Sequence, residues 1–201
     1  MEEHEFRRLL QVAEKYSPEL AEDIAGLGRV SLERRNEGGL ATFLARTVVQ
    51  QSITSETAQA IWRKLEKSAS VHKAEIPDFF SIAGKDAMRE CGLSKTKQKS
   101  LIEISERHQL GEFDDAVFEA LDVLEKRRRL LSIFGVGGWT ADIALIYFFG
   151  ERDVWPTGDL TLNKMLSSYF PEAAEDQRVE FMSPYRSIFA NYMWRLHDGK
   201  T

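Results

Sequence analysis

The sequence feature that most constrains the fold is a short glycine turn between two segments with helical spacing. The segment that ends at Ile133 is followed by Gly135-Val136-Gly137-Gly138, and the helical pattern resumes at Trp139. Glycine permits a positive φ and a close backbone approach, and we expect both here, at Gly137 as well as Gly135. Outward-pointing amides at this turn would form an anion site that binds a phosphate without reading a base. An ordinary corner of a helical bundle fits the same pattern.

The rest of the chain is predicted to be helical almost throughout. Ser17-Pro18 has the N-cap and first-turn residues of a helix, and Thr54 is a second candidate N-cap. The segment from Leu40 to Val49 is apolar almost all round, which predicts a buried central helix. Val154-Trp155-Pro156 is too short for a convincing strand and contains proline. We therefore predict an all-α protein.

Composition excludes several classes of protein. The 201 residues are 43% hydrophobic and 29% charged, which indicates a folded chain with a substantial core. The single cysteine, Cys91, excludes an internal disulfide framework and a four-cysteine cluster, and the four histidines show no metal-ligand spacing. No apolar run is long enough to span a bilayer, so we expect no membrane partner. The net charge of -5 argues only weakly against nucleic acid, because phosphate binding needs a local basic face.

A second informative segment follows the glycine turn. Asp159 comes after Pro156-Thr157-Gly158 and before an apolar helical pattern, so it is predicted to be an N-cap. The same position favours an ionised carboxylate, because the helix N-terminus carries partial positive charge. In a cleft, such a carboxylate could stabilise an oxocarbenium-like sugar and orient a water molecule.

The chain resembles the helix–hairpin–helix DNA base-excision glycosylases, and most of all their 3-methyladenine DNA glycosylase II branch. The resemblance includes the hairpin Phe134–Asp142, and it places Asp159 at the catalytic aspartate of the family. Three further segments match in family order: Ala45–Ser52, Cys91–Lys97 and Ser183–Trp194. The matches extend from about Pro18 to Trp194, and their combination is more specific than any one of them.

This resemblance implies an architecture. We expect two tightly packed helical subdomains, one formed by residues 1–39 plus 151–201 and one by residues 40–150, which includes the helix–hairpin–helix motif. In the family, the active cleft lies between the two subdomains.

The resemblance also implies a role for each site residue. Asp159 is catalytic; Trp139, Trp194 and Ile143 line the base pocket; and Gln51 is the duplex wedge, the residue that fills the gap left by a flipped base. DNA phosphate is bound at Gly135, Gly137, Trp139 and Thr140. N-alkylated purines are cationic, so an indole face would attract them and little acid catalysis would be needed. Core tryptophans and a surface glutamine are the alternatives from the residues alone.

Two departures from the family pattern affect the prediction. Phe134 replaces the usual hairpin proline, and Trp139 lies where the lyase branch has a nucleophilic lysine. Without that amine no Schiff base can form at this position, so we predict a monofunctional enzyme that uses water. Asp142, inside the helix one turn from Trp139, is interpreted as structural. No cofactor or metal is expected, although the hairpin backbone could hold a monovalent cation.

The expected partner is damaged double-stranded DNA, bound by a monomer in the nucleoid region of a prokaryotic cytoplasm or in a eukaryotic nucleus. Three alternatives stay open: a glycosylase for deaminated or oxidised bases, a non-catalytic hairpin protein that only binds DNA, and a helical protein-interaction domain. The lysines at 95, 97 and 99 and the run Lys126–Arg129 could face phosphates, but a solvated helix face is the simpler interpretation.

Overall fold

The computed structural model describes residues 1–82, 84–171 and 177–199, and within these ranges the secondary structure is helical, with no strand. The prediction of an all-α protein is therefore confirmed. The chain divides into two compact units, Met1–Arg34 with Gly150–Thr201 and Arg35–Phe149. No described helix has both the length and the apolar character that crossing a membrane requires.

The first unit is built from both ends of the chain. Its helices are α1 (Glu3–Tyr16), α2 (Pro18–Leu27), α11 (Leu160–Tyr169), α12 (Gln177–Glu180) and α13 (Arg186–Gly199). Ser17 caps α2 as predicted, since its hydroxyl accepts the Leu20 amide at 3.3 Å. The core joins α1, α2, α11 and α13 through fully buried side chains, among them Leu9, Ile24, Leu166 and Tyr192.

The second unit contains α3 (Gly39–Gln50), α4 (Ser55–Val71), α5 (Phe79–Ile82), α6 (Gly84–Glu90), α7 (Lys95–Gln109), α8 (Asp115–Glu119), α9 (Val123–Leu131) and α10 (Gly138–Ile143). The backbone continues from α10 into a π-helical turn, Ala144–Phe148. Helix α3 is buried over most of its surface, which confirms the predicted central helix. Thr54 caps α4, as predicted, by accepting the Thr57 amide.

Candidate active site and nucleic-acid interface

Helices α9 and α10 form the predicted hairpin, and Gly135 is the residue that its turn requires. Gly135 has a φ of +83°, in the left-handed region that favours glycine. A Cβ atom at this position would lie 1.9 Å from the Ser100 hydroxyl oxygen on α7, so close packing excludes a side chain independently of the backbone angle. The close approach predicted for this glycine is therefore between the hairpin and α7.

One face of α7 holds the hairpin turn through polar contacts. The Glu103 carboxylate accepts the Phe134 backbone N–H at 3.1 Å, and Arg107 donates to the Ser132 carbonyl at 3.0 Å. Arg107 also pairs with Glu103 itself at 3.0 Å. Phe134 replaces the hairpin proline that is usual in the family, and this replacement makes the hydrogen bond possible, because a proline has no N–H to donate to Glu103. The ammonium of Lys99 lies 4.0 Å from the centre of the Phe134 ring.

Gln51, at the C-terminal end of α3, is bound to the hairpin. Its side-chain N–H group donates to the Gly135 carbonyl at 2.9 Å and to the Thr140 hydroxyl at 2.8 Å. Its backbone carbonyl accepts the Lys97 ammonium at 2.8 Å. The next residue, Ser52, is exposed and has a φ of +56°, which is uncommon for a side-chain-bearing residue. The predicted wedge role of Gln51 would compete with two hydrogen bonds inside the protein.

The structure distinguishes the residues predicted to bind phosphate. Gly137 has a φ of -86° and no atom within 4 Å of a built Cβ, so our expectation that this glycine needs a positive φ and close approach is wrong. Its conformation is the extended one of a helix N-cap, which other residues also adopt. Thr140 is buried, with its hydroxyl bonded to Gln51, so only its backbone could meet a phosphate. Helix α10 begins at Gly138, and the first backbone amides of a helix have no acceptor within the helix itself.

The basic run at the end of α9 is held by neighbouring side chains. Lys126 is buried, with its ammonium 5.0 Å from the centre of the Phe149 ring. Arg128 and Arg129 both pair with Glu125, and their hydrogen bonds lower the pKa of that carboxyl group to about 2. Lys126 therefore departs from the solvated face that we expected for most of this run.

Asp142 joins the two helices of the hairpin. Its side chain is 2% exposed, and its carboxylate accepts the Arg127 guanidinium of α9 at 2.8 Å. This hydrogen bond raises the pKa of Arg127. The geometry agrees with the interpretation of Asp142 as a structural residue.

Asp159 is the N-cap of α11, as its sequence position predicts. One carboxylate oxygen accepts the Leu162 amide at 2.9 Å, and the other accepts the indole N–H of Trp194 from α13 at 3.3 Å. Asp159 is 9% exposed, so its carboxylate lies in a largely desolvated position beside an aromatic ring. Gly158, with a φ of +81°, provides the turn immediately before it. The structure thus brings two predicted site residues, Asp159 and Trp194, into contact.

Ion pairs fix the chain segment that leads to Asp159. Arg152 donates to Glu5 of α1 at 2.8 Å, and this bond, together with the Glu2 amide, lowers the pKa of Glu5 to about 2. Arg186 of α13 donates to Asp153 at 2.8 Å. Burial alone would raise the pKa of Asp153, but hydrogen bonds from Arg186 and Ser183 lower it overall. The segment is therefore attached to both terminal parts of the chain.

The remaining base-pocket candidates, Trp139 and Ile143, are half-buried and lie one turn apart on α10. This spacing puts them on the same helix face. Sequence reasoning missed Ser100, Glu103 and Arg107, although their spacing of three and four residues along α7 is the signal of one shared face. No group of three or more described His, Cys, Asp or Glu side chains is arranged to hold a metal ion.

Comparison with known proteins finds two Schizosaccharomyces pombe proteins that are similar to this chain in sequence. No family model matches the chain. The chain is 29% identical over 161 residues to DNA-3-methyladenine glycosylase 1 of Schizosaccharomyces pombe, an alignment that covers 76% of this chain and 70% of that protein. It is 25% identical over 162 residues to the alkylbase DNA glycosidase-like protein mag2 of the same organism, with 76% of each protein covered.

Solved structures show the same fold. The 3-methyladenine DNA glycosylase of S. pombe in complex with abasic DNA superposes with a TM-score of 0.79 at 23% identity, and covers 94% of this chain and 95% of that one. The DNA-3-methyladenine glycosidase of Bacillus halodurans gives a TM-score of 0.75 at 21% identity, with 94% and 88% covered.

Proposed function

We propose a function from one premise: the chain belongs to the helix–hairpin–helix DNA base-excision glycosylases and resembles their 3-methyladenine branch. It is a DNA N-glycosylase that removes damaged, alkylated purines from double-stranded DNA as the first step of base excision repair. The observation that carries this proposal is the Asp159 carboxylate, fixed at the N-terminus of α11 by the Leu162 amide and the Trp194 indole.

Asp159 acts on the sugar. As the bond between sugar and base breaks, positive charge develops on the deoxyribose, and a nearby carboxylate stabilises that charge. The same carboxylate orients the water molecule that adds to the sugar carbon. Because the Leu162 amide and the Trp194 indole bind different oxygens, the orientation of the carboxylate is set before the substrate arrives.

The choice of alkylated purines rests on the charge of the leaving base. A 3-methyladenine or 7-methylguanine carries a positive charge, which makes it a good leaving group without a dedicated general acid. An indole face, such as that of Trp139 or that of Trp194, would attract this cation by about 0.5–2 kcal/mol. Ile143, on the same helix face as Trp139, provides apolar contact.

We propose that water is the only nucleophile and that no lyase step follows. Trp139 occupies the hairpin position where the lyase branch has lysine, and indole nitrogen does not form a Schiff base. The chemistry uses no metal or organic cofactor. The protein acts as a monomer on chromosomal DNA, in a prokaryotic nucleoid or a eukaryotic nucleus.

A panel of lesion duplexes tests this function. The protein is incubated with duplexes that contain 3-methyladenine, 7-methylguanine, hypoxanthine, uracil or 8-oxoguanine, and released base is measured by chromatography. We expect release of the alkylated purines, strand breakage only after alkali, and no covalent adduct on borohydride treatment. Release of hypoxanthine, uracil or 8-oxoguanine alone would change the substrate class. Salt-dependent DNA binding with no release from any duplex would favour a non-catalytic hairpin protein.

A borohydride-trapped adduct would contradict the monofunctional proposal even if alkylated bases are released. The matched control is Asp159→Asn, which retains the N-cap group and removes the negative charge.

A further inference from the structure

The Gln51 side chain connects two loops that sequence reasoning treats as separate DNA-contacting parts. One is the loop of residues 51–54 between α3 and α4, and the other is the hairpin turn of residues 132–137. We propose that Gln51 is a positioning residue that holds these two loops in one fixed arrangement, and that it acts through its hydrogen-bond donors rather than by entering the duplex. This inference rests on the proposed function for its link to DNA.

The geometry supports a fixed connection. The Gln51 amide nitrogen uses its two N–H groups on two parts of the hairpin, the Gly135 carbonyl at 2.9 Å and the Thr140 hydroxyl at 2.8 Å. A primary amide has two such hydrogens, so both donors are committed. A glutamine that enters a duplex would have to leave the Gly135 carbonyl and the buried Thr140 hydroxyl without this donor.

Lys97 of α7 holds the same residue from the other side. Its ammonium donates to the Val49 and Gln51 carbonyls, both at 2.8 Å, at the end of α3 where backbone carbonyls lack helical partners. Burial lowers the pKa of Lys97, in agreement with an ammonium enclosed by these carbonyls. The backbone and the side chain of Gln51 are thus bound independently.

The arrangement leaves Ser52 as the exposed tip of the loop. Ser52 follows the fixed residue directly and has a left-handed φ of +56°. Two residues later, Thr54 begins α4 as its N-cap. With Gln51 fixed at one end and Thr54 at the other, the hairpin turn and the tip of the loop keep a set position relative to each other. A phosphate bound at the hairpin therefore determines where the loop meets the DNA.

Gln51→Met separates the two roles of this residue. Methionine has a similar length and volume, so it can fill a gap, but it has no N–H donor. If Gln51 positions the loops, Gln51→Met weakens binding to an abasic-analogue duplex about tenfold, because the loss of two part-buried hydrogen bonds releases the loops from their fixed arrangement. If Gln51 fills the duplex, Gln51→Met binds like the wild type and only Gln51→Ala is weakened, a result that would overturn the inference. The neighbouring exposed Gln50 provides the matched control, Gln50→Met, with no expected change.

A second pair of variants tests the partner of the hydrogen bond. Thr140→Val removes the hydroxyl acceptor and keeps the shape, whereas Thr140→Ser keeps the hydroxyl. Since Thr140 is buried, a wedge role for Gln51 predicts no coupling between these residues. The positioning role predicts that Thr140→Val weakens binding several-fold more than Thr140→Ser, and that its effect is not additive with Gln51→Met. Additive effects, or equal binding by the two Thr140 variants, would contradict the proposed connection between the two loops through Gln51.

Amide hydrogen exchange tests the connection between the two loops in the absence of DNA. The Ile53 amide is bonded to the Gln50 carbonyl at the end of α3, and the Val136 amide to the Ile133 carbonyl within the hairpin turn. In Gln51→Met, both amides should exchange about tenfold faster than in Gln50→Met. Unchanged exchange overturns the inference whether or not the protein binds DNA. If the wild type neither binds DNA nor releases a base, the proposed function and the coupling to DNA both fail, while the exchange rates still decide whether Gln51 fixes the loops. Thermal unfolding of each variant confirms that the folded protein is compared.

Discussion

Two buried aspartates, one in each compact unit, are held by different kinds of partner. Asp142 in the hairpin accepts the Arg127 guanidinium at 2.8 Å, and Asp159 at the start of α11 accepts a backbone amide at 2.9 Å and an indole N–H at 3.3 Å. Both are less than a tenth exposed. Burial alone therefore does not distinguish the structural carboxylate from the candidate catalytic one.

The guanidinium that binds Asp142 is one difference between them. A carboxylate in direct contact with a guanidinium already has its negative charge compensated, so it would stabilise a second cation less. The Leu162 amide and the Trp194 indole are neutral donors, so they orient the Asp159 carboxylate without compensating its charge as a guanidinium does. We infer that Asp142 contributes to stability and Asp159 to chemistry.

The largest expected effect is on excision by Asp159→Asn. Asparagine can still accept the Leu162 amide, so the N-cap and the fold should be retained. Loss of the negative charge removes electrostatic stabilisation of the sugar cation, and we expect base release to fall by about 100- to 1000-fold. Single-turnover release of 7-methylguanine measures this, with DNA binding as the control. Base release by Asp159→Asn at the wild-type rate would show that Asp159 is not catalytic.

Asp142→Asn should show the opposite pattern. It leaves the Arg127 guanidinium without its charged partner, and since Arg127 is 36% exposed and can reach water, we expect a loss of about 2 kcal/mol in the free energy of unfolding. Base release by the folded variant should change little. Urea unfolding measures the stability, and base release at urea concentrations below the unfolding transition measures the activity of the folded variant. The double variant Asp142→Asn with Arg127→Gln should recover part of the lost stability. A selective loss of excision would instead give Asp142 a part in the chemistry.

Much of this contrast could be predicted from sequence because it depends on local rules. The N-cap position of Asp159 follows from the residues on either side, and Gly135 is signalled by the turn itself. The resemblance to this family was also recognised in the chain alone, and the relatives that the chain matches include DNA-3-methyladenine glycosylase 1 of S. pombe. Such features require only neighbours along the chain or a motif of fixed spacing.

The missed features depend on residues that are distant in sequence. The need for a glycine at Gly135 arises partly from Ser100, and the N–H of Phe134 is used by Glu103, 31 positions away. The buried position of Lys126 depends on the Phe149 ring. The bonding of Gln51 to the hairpin spans more than 80 positions. No periodicity in one sequence encodes these pairings, so they became visible only when the chain was folded.

In the unit that contains the hairpin, we expect Gly137→Val to weaken DNA binding and to leave the stability unchanged. The φ of -86° and the open space around Gly137 allow a side chain without strain in the protein. A branched side chain at the N-cap of α10 would obstruct a phosphate that approaches the first amides of the helix, and we expect about tenfold weaker binding to abasic-analogue duplex. Titrations at two salt concentrations should also show that the DNA affinity of Gly137→Val depends less on salt than that of the wild type.

Gly135→Ala is the contrasting variant for this prediction. It should lower stability, since the added Cβ would overlap Ser100. Unchanged DNA affinity in a folded Gly137→Val protein would indicate that the hairpin is only a structural corner.

A smaller effect is expected for the pH dependence of the unit that contains Asp159. Glu5 pairs with Arg152, and its pKa is lowered from 4.5 to about 2. A lowered pKa means that the stabilisation is complete above about pH 4.5 and is lost as the pH falls towards 2. Because Arg152 is half-exposed, we expect the pair to contribute about 1 kcal/mol. Urea unfolding should show Glu5→Gln less stable than the wild type at pH 7 and equal to it near pH 2. A difference that persists at pH 2 would point to packing rather than charge.

The smallest effect concerns the indole that orients Asp159. Trp194→Phe keeps an aromatic face and removes the N–H that the carboxylate accepts at 3.3 Å. A neutral hydrogen bond of this length has a modest net value, so we expect base release to fall about threefold while the fold is retained. Asp159→Asn makes the test specific: if Trp194 acts through the carboxylate, Trp194→Phe should have little further effect in the Asp159→Asn background. An equal loss in both backgrounds would show that Trp194 acts on the base instead.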